Sequence, residues 1–167
     1  MNIKFKYFLI NAKELYDNFN IIPLLYGSLG LEVLTSTNLN ADDIDILISE
    51  IFVNGPRWNE FKNRLENNGY VLIDEDEHTF RKDNIDYSYA SIENLWEFAN
   101  ININDIKKYE ANNTHYLLLS LEQYLKVYQK SSLDGYRMNK KEKKDNEKIK
   151  FINKCLENSS NHNKKLL

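Results

Sequence analysis

The run Asp42-Asp43-Ile44-Asp45-Ile46-Leu47-Ile48 constrains the fold more than any other stretch of the chain, because it sets carboxylates inside a segment that is otherwise strongly strand-forming. Successive side chains on a strand point to opposite faces, so Asp43 and Asp45 share one face about 6.5–7 Å apart while Ile44 and Ile46 fill the other. One face is then apolar and the other doubly anionic. Like charges fixed at that distance raise at least one apparent pKa unless a cation stands between them. A divalent ion resolves the conflict. Mg²⁺ takes one or two protein carboxylates together with waters and phosphate oxygens, and two such ions about 3.5–4 Å apart can hold both the nucleophile and the leaving group of an in-line phosphoryl displacement. Taken alone, the run reads equally well as a solvent-facing strand after a polar turn, and a register shift of one residue would exchange Asp42 for Asp43.

The 167 residues suit one domain with a helical appendage, here divided into an α/β core over 1–118, a C-terminal helical segment over 119–157 and a flexible tail over 158–167. A hydrophobic fraction of 42% and an aromatic fraction of 13% belong to a folding chain. The net charge of -3 gives no global basic field, so tight nonspecific nucleic-acid binding does not follow from charge alone. Cys155, the single cysteine, excludes an intramolecular disulfide framework and a multi-cysteine zinc site, and a cytoplasmic, reducing location is expected. The start of the chain meets Asn, Lys and Glu too soon for a signal peptide or a membrane span, so a soluble protein with no membrane partner is expected.

Phe8, Ala12, Leu15 and Phe19 recur at helical spacing and predict a helix to about residue 18. Residues 21–27 read as a short buried strand ending at Gly27, and residues 28–35 as a helix that starts at the Gly-Ser turn. The stretch 42–48 is the second strand, and "PRWNEFKNRLENNG" is a helix with Trp58, Phe61 and Leu65 on one face. Two or three short strands follow up to residue 90, with Asp83-Asn84 as a hairpin tip. Ser91 is the expected N-cap of the next helix, and "THYLLLS" is a last strand or an extended lead-in to a helix opened by a Ser120/Gln123 capping box. A charged helix over about 140–157 and a frayed end complete an α+β (α/β) fold, a small mixed sheet flanked by helices.

Asp86, in "NIDYS", repeats the pattern of an acid flanked by strand formers, and a neighbouring strand can bring it beside the pair. Gly27 permits close backbone approach, and Ser28 at a helix N-terminus offers a hydroxyl and N–H groups to phosphate oxygens. The order "LLYGS", "DIDIL", "NIDYS" resembles the nucleotidyltransferase superfamily with a DNA polymerase β type of catalytic domain. Within it, "GSLGLEVLT" is similar to the lincosamide nucleotidyltransferases and to the AbiE-type toxin nucleotidyltransferases. "LSLEQYLKVY" and the later Lys144-Asp145 are similar to the tails of those families.

The resemblance implies an NTP as co-substrate, a two-metal Mg²⁺ site, and transfer of a nucleoside monophosphate to a hydroxyl acceptor with release of pyrophosphate. Asp43, Asp45 and Asp86 would be the catalytic and metal-binding acids, and Gly27, Ser28 and Lys126 would bind nucleotide, with Lys130 and Arg137 as further candidates to reach phosphates. A small-molecule acceptor such as an antibiotic is the leading expectation. The alternatives are a toxin-like enzyme acting on tRNA or protein, and a noncatalytic binding module, for which Leu29 and the long interval from Ser28 to Asp43 speak. A homodimer is an option that the sequence leaves open.

Overall fold

Phe5, Phe8, Ala12 and Leu15 line one buried stripe of α1 (Ile3–Phe19), whose register along the chain follows from their helical spacing. Asn2 caps it, its side-chain oxygen accepting the Lys4 N–H at 2.8 Å, and Asn20 ends it in the left-handed region. In this computed structural model, which describes residues 2–133 and 140–166, the chain continues through β1 (Leu24–Tyr26), α2 (Gly27–Thr35), β2 (Ile44–Ile48), α3 (Glu50–Val53), α4 (Trp58–Asn67), β3 (Val71–Asp74), β4 (Thr79–Lys82) and β5 (Ile85–Ser91). It then forms α5 (Asn94–Ala99), β6 (Lys107–Ala111), β7 (Thr114–Leu118), α6 (Leu121–Leu133) and α7 (Lys140–Leu166).

The seven strands make one mixed sheet in the order β3-β4-β5-β2-β1-β7-β6. β2 runs at its centre, antiparallel to β1 and parallel to β5, while β1 is parallel to β7. Leu25, Ile44, Ile46, Tyr87 and Tyr89 face one side, packed with α1 and with an aromatic group of Phe52, Phe61 and Phe80. Leu24 and Leu47 face the other side, under Leu95, Val127 and Ile152 from α5, α6 and α7. The chain is therefore α+β, with its C-terminal helices laid over the sheet face that also carries Asp45. No helix among the described residues is long and apolar enough to cross a membrane.

Several expectations need correcting. The first strand is three residues long and starts after Pro23, which has no N–H to donate but whose carbonyl accepts the Leu117 N–H at 2.9 Å. Asp43 stands one residue ahead of β2 rather than within it. Ser91 closes β5 and donates to Glu93 Oε2 at 2.9 Å; the helix begins only at Asn94. α7 runs beyond residue 157 to Leu166. Three elements lie outside the sequence expectations: the single turn of α3, a 3-10 turn over Ile103–Asp105, and β6, whose lysines and glutamate obscure a half-exposed strand. β6 joins β7 through Asn112-Asn113, both with positive φ, as Asp83-Asn84 joins β4 to β5. Such left-handed pairs suit two-residue hairpin turns. The Ser120/Gln123 capping box is reciprocal, with the Ser120 N–H donating to Gln123 Oε1 at 2.9 Å and the Gln123 N–H to Ser120 Oγ at 3.1 Å.

The long connection from α2 to β2 is organised by one buried acid. Glu32 is 5% exposed. Its Oε1 accepts the N–H groups of Leu39 and Ala41 at 2.9 and 2.8 Å, and its Oε2 accepts the Asn2 amide at 2.7 Å. A carboxylate inside an apolar helix would be costly without these partners. The loop it folds delivers the chain to Asp42 and Asp43. Replacing Glu32 by Ala leaves two backbone donors without their acceptor, and is expected to lower stability by about 2–4 kcal/mol, read as a lower midpoint in thermal unfolding; an unchanged midpoint would refute this account of the loop.

Candidate active site

Strand register decides which side chains meet. Tyr26 pairs with Asp45 across β1 and β2, and Asp45 pairs with Ser88 across β2 and β5. Opposed residues share a face, so Tyr26, Asp45 and Ser88 form a row. One step back, the pairing of Ile44 with Tyr87 sets Asp43 beside Asp86. Asp86 alternates onto the same face as Ser88 and is level with Arg81 on β4. The three sequence-identified acids are thus brought to one region of one sheet face, at the boundary between the part roofed by helices and the open part formed by β3, β4 and β5.

Gly27 has φ +63, and a Cβ there would stand against Asp45 Oδ2. Glycine is needed twice, for the left-handed backbone and for the space. Tyr26, immediately before, is the uncapped N-cap of α2, so the helix opens with free N–H groups close to the carboxylate. Overhead, Tyr124 donates to the Gly27 carbonyl at 3.1 Å and stacks on Tyr128, and Tyr128 is bonded to Ser28. These contacts fix α6 over the Gly-Ser turn. Burial first, and the neighbouring carboxylates second, hold the Tyr26 phenol protonated.

A cleft of about 520 Å³ lies between sheet and roof. Its floor includes Tyr26, Gly27, Asp45 and Ser88; its roof includes Tyr124, Tyr128 and Ser131 of α6 and Asp145 of α7. Asp145 is 5% exposed and accepts the Ser131 hydroxyl at 2.8 Å. Lys148, one helical turn on, lies over the Tyr128 ring at 5.4 Å and is, among the described residues, the cation that acts on Asp45. Lys126, by contrast, is exposed and does not line the cleft, nor does Lys130; Arg137 lies outside the described residues. The lysine contribution comes from α7, which the sequence singles out only at Lys144-Asp145.

The acids differ in electrostatic state. Asp45 is pushed up to about 6, mainly by burial and further by Asp43, with Lys148 opposing. Asp43 is also raised, by burial first and then by Asp42 and Asp86, against its own backbone N–H and Lys4. Asp86 is lowered, because Arg81 grips it with Nε to Oδ1 at 2.7 Å and Nη2 to Oδ2 at 3.1 Å. Among the described residues no three His, Cys, Asp or Glu side chains are grouped as a metal-holding set. Counting the described residues alone, Asp43 and Asp45 are a pair short of cationic compensation, while Asp86 already has its counter-ion.

The raised pKa of Asp45 means that the folded chain binds more protons than the unfolded chain between about pH 4 and pH 6, so stability falls as pH rises through that window. Asp45→Asn removes the penalty. The variant is expected to be more stable by about 2 kcal/mol at pH 8 in the absence of metal, with the gap closing below about pH 4; denaturant midpoints of both chains across this range check it, and a pH-independent gap would contradict it.

Compared with known proteins, the chain is 43% identical over 147 residues to a Bacillus subtilis (strain 168) protein described as uncharacterized protein YnaI, covering 88% of this chain and 94% of that protein. The chain belongs to the family of that protein. No family model matches it, and no solved structure does.

Proposed function

We propose that this member of the YnaI family is a nucleotidyltransferase that moves a nucleoside monophosphate from an NTP to an acceptor hydroxyl. One observation carries the reading: an undercompensated carboxylate pair, Asp43 and Asp45, abuts a left-handed glycine whose missing side chain makes room for Asp45 at an uncapped helix N-terminus. Anionic oxygens and a positive helix end beside one another suit a ligand that is itself both cation and anion, such as a divalent ion with a triphosphate.

The donor set fits Mg²⁺, a hard cation that prefers carboxylate oxygens. Asp43 and Asp45 would hold it. Bound there, the ion would neutralise charge on the phosphoryl group undergoing transfer. Gly27 and Ser28 would take the non-transferred phosphates on the first N–H groups of α2, and Lys148 would share the compensation of Asp45. Ser28 would first exchange its bond with Tyr128 for a phosphate oxygen. Asp86, on the open side of the pair, would orient the acceptor hydroxyl and take its proton. The work is positioning and charge neutralisation, so displacement by an ångström costs rate steeply. Tyr124, Tyr128 and Phe98 would exclude water from the roofed end.

The open sheet face around Asp86 would admit a small-molecule acceptor, with a tRNA or protein acceptor as the alternative. The engagement of Asp86 by Arg81 favours one second reading, a nucleotide-binding module that does not turn over.

Thermal unfolding with each of the four NTPs, with and without Mg²⁺, separates these. A ligand at about a hundred times its Kd adds about 2.7 kcal/mol, several degrees for a chain of this length. One NTP is expected to shift the unsubstituted chain only when Mg²⁺ is present, and to leave Asp45→Asn at its own higher baseline. A Mg²⁺-dependent shift without pyrophosphate release over a panel of hydroxyl acceptors would select the binding module. No shift at millimolar NTP would defeat both readings.

A further inference from the structure

Arg81 has no part in the nucleotide chemistry described so far, yet it controls the one acid whose state differs from its neighbours. Its guanidinium meets both oxygens of Asp86, with Nε at 2.7 Å and Nη2 at 3.1 Å. A fork meeting a carboxylate edge to edge leaves few lone-pair directions for another cation. The register fixes the arrangement: Arg81 and Asp86 are opposed across the Asp83-Asn84 hairpin, and Asp86 lies beside Asp43 through the parallel pairing of β2 with β5. The pair sits on a part of the sheet that no helix among the described residues roofs, with the Arg81 and Asp86 side chains 52% and 33% exposed. At this exposure water can take the place of either partner, and no buried contact depends on the pair. It can be exchanged without disturbing the fold.

We propose that Arg81 is a latch on Asp86, a positioning residue that withholds the third carboxylate from the metal pair until Arg81 is drawn away. The inference rests on the nucleotidyltransferase reading and deepens it. With the latch closed, Asp43 and Asp45 take one divalent ion together with the nucleotide. A second ion, which needs Asp86, enters poorly because its ligand is occupied and because a guanidinium stands beside it. Order of assembly follows: nucleotide and first ion, then release of Arg81, then the second ion at the acceptor hydroxyl. A chain so built holds NTP without hydrolysing it while no acceptor is present.

The test counts Mn²⁺ bound to the full chain saturated with an NTP analogue that cannot be cleaved between its α- and β-phosphates, using the electron paramagnetic resonance of free Mn²⁺. The unsubstituted chain should show one tight ion and one much weaker. Arg81→Met should tighten the weaker ion about tenfold or more and leave the first within about twofold, since a competing ion pair and a nearby like charge are both removed. Arg81→Lys, which keeps charge but loses the fork, should fall between. Asp86→Asn should abolish the second ion in either background. Both positions are partly exposed, and unfolding midpoints within a few degrees of the unsubstituted chain establish that each variant folds. An unchanged second ion in Arg81→Met, or its survival in Asp86→Asn, overturns the latch while the first ion and the nucleotidyltransferase reading stand. If the nucleotide brings no Mn²⁺ to any of the chains, that reading falls and the latch falls with it.

Discussion

The burial of the Asp45 carboxylate, with Asp43 as a second and smaller cost beside it, is the constraint on which the rest of the site depends. Asp45 is paired on both sides, to Tyr26 and to Ser88, in the middle of a seven-stranded sheet, so its backbone position is fixed. Its backbone is held by strands whose opposite face is the larger core, and Ile44 and Ile46 on either side are fully buried. Folding energy from that core is therefore what keeps an unfavourable carboxylate in place. A position that stores electrostatic cost in a cleft is a candidate for function, and the shape of the surroundings says what would relieve it. Gly27 gives up a side chain to make room for the carboxylate, and α2 begins there without a side-chain cap.

The rest of the molecule keeps that arrangement stiff. Glu32 ties the α2–β2 connection to its own helix and to Asn2, so the chain arrives at Asp43 along a fixed path rather than from a loose loop of some eight residues. Tyr124 and Tyr128 tie α6 to the Gly-Ser turn, and the Ser131–Asp145 bond ties α7 to α6. The C-terminal helices are thus part of the site and not an appendage to it. They supply its roof, one further acid and the lysine that acts on Asp45. Beyond Ser88 the roof stops, and Asp86 with Arg81 is left on an open face.

Much of this is legible in the sequence. Alternation around Ile44 and Ile46 identifies the strand, Gly27 marks the end of the preceding one at a helix start, and "NIDYS" repeats the acid pattern, so the residues alone name the three acids and the glycine. The hairpin tip at Asp83-Asn84 even implies the pairing of Arg81 with Asp86, since a two-residue turn opposes 82 with 85 and 81 with 86. Long-range matters are what the residues do not reveal. Glu32 is a lone acid in an apolar helix, and nothing local says that its partners are Asn2, Leu39 and Ala41. Lys126 stands on the right helix but on the wrong side of it, because α6 turns Tyr124, Val127, Tyr128 and Ser131 to the cleft. Lys148 is hidden in a run whose charges look like a solvated helix face. β6 escapes a reading by pattern because an edge strand with two adjacent lysines and a glutamate among its five residues carries little hydrophobic periodicity.

The central claim is that the cost stored at Asp45 is relieved by a divalent ion brought with a nucleotide. Carbon-13 NMR of the aspartate carboxyls, assigned through Asp45→Asn, follows its titration directly. The account predicts an apparent pKa near 6 for the free chain and a fall below the ordinary aspartate value of about 3.9 when Mg²⁺ and the preferred NTP are present together. A titration near 6 that Mg²⁺ and NTP leave unmoved, or an ordinary value in the free chain, would contradict it.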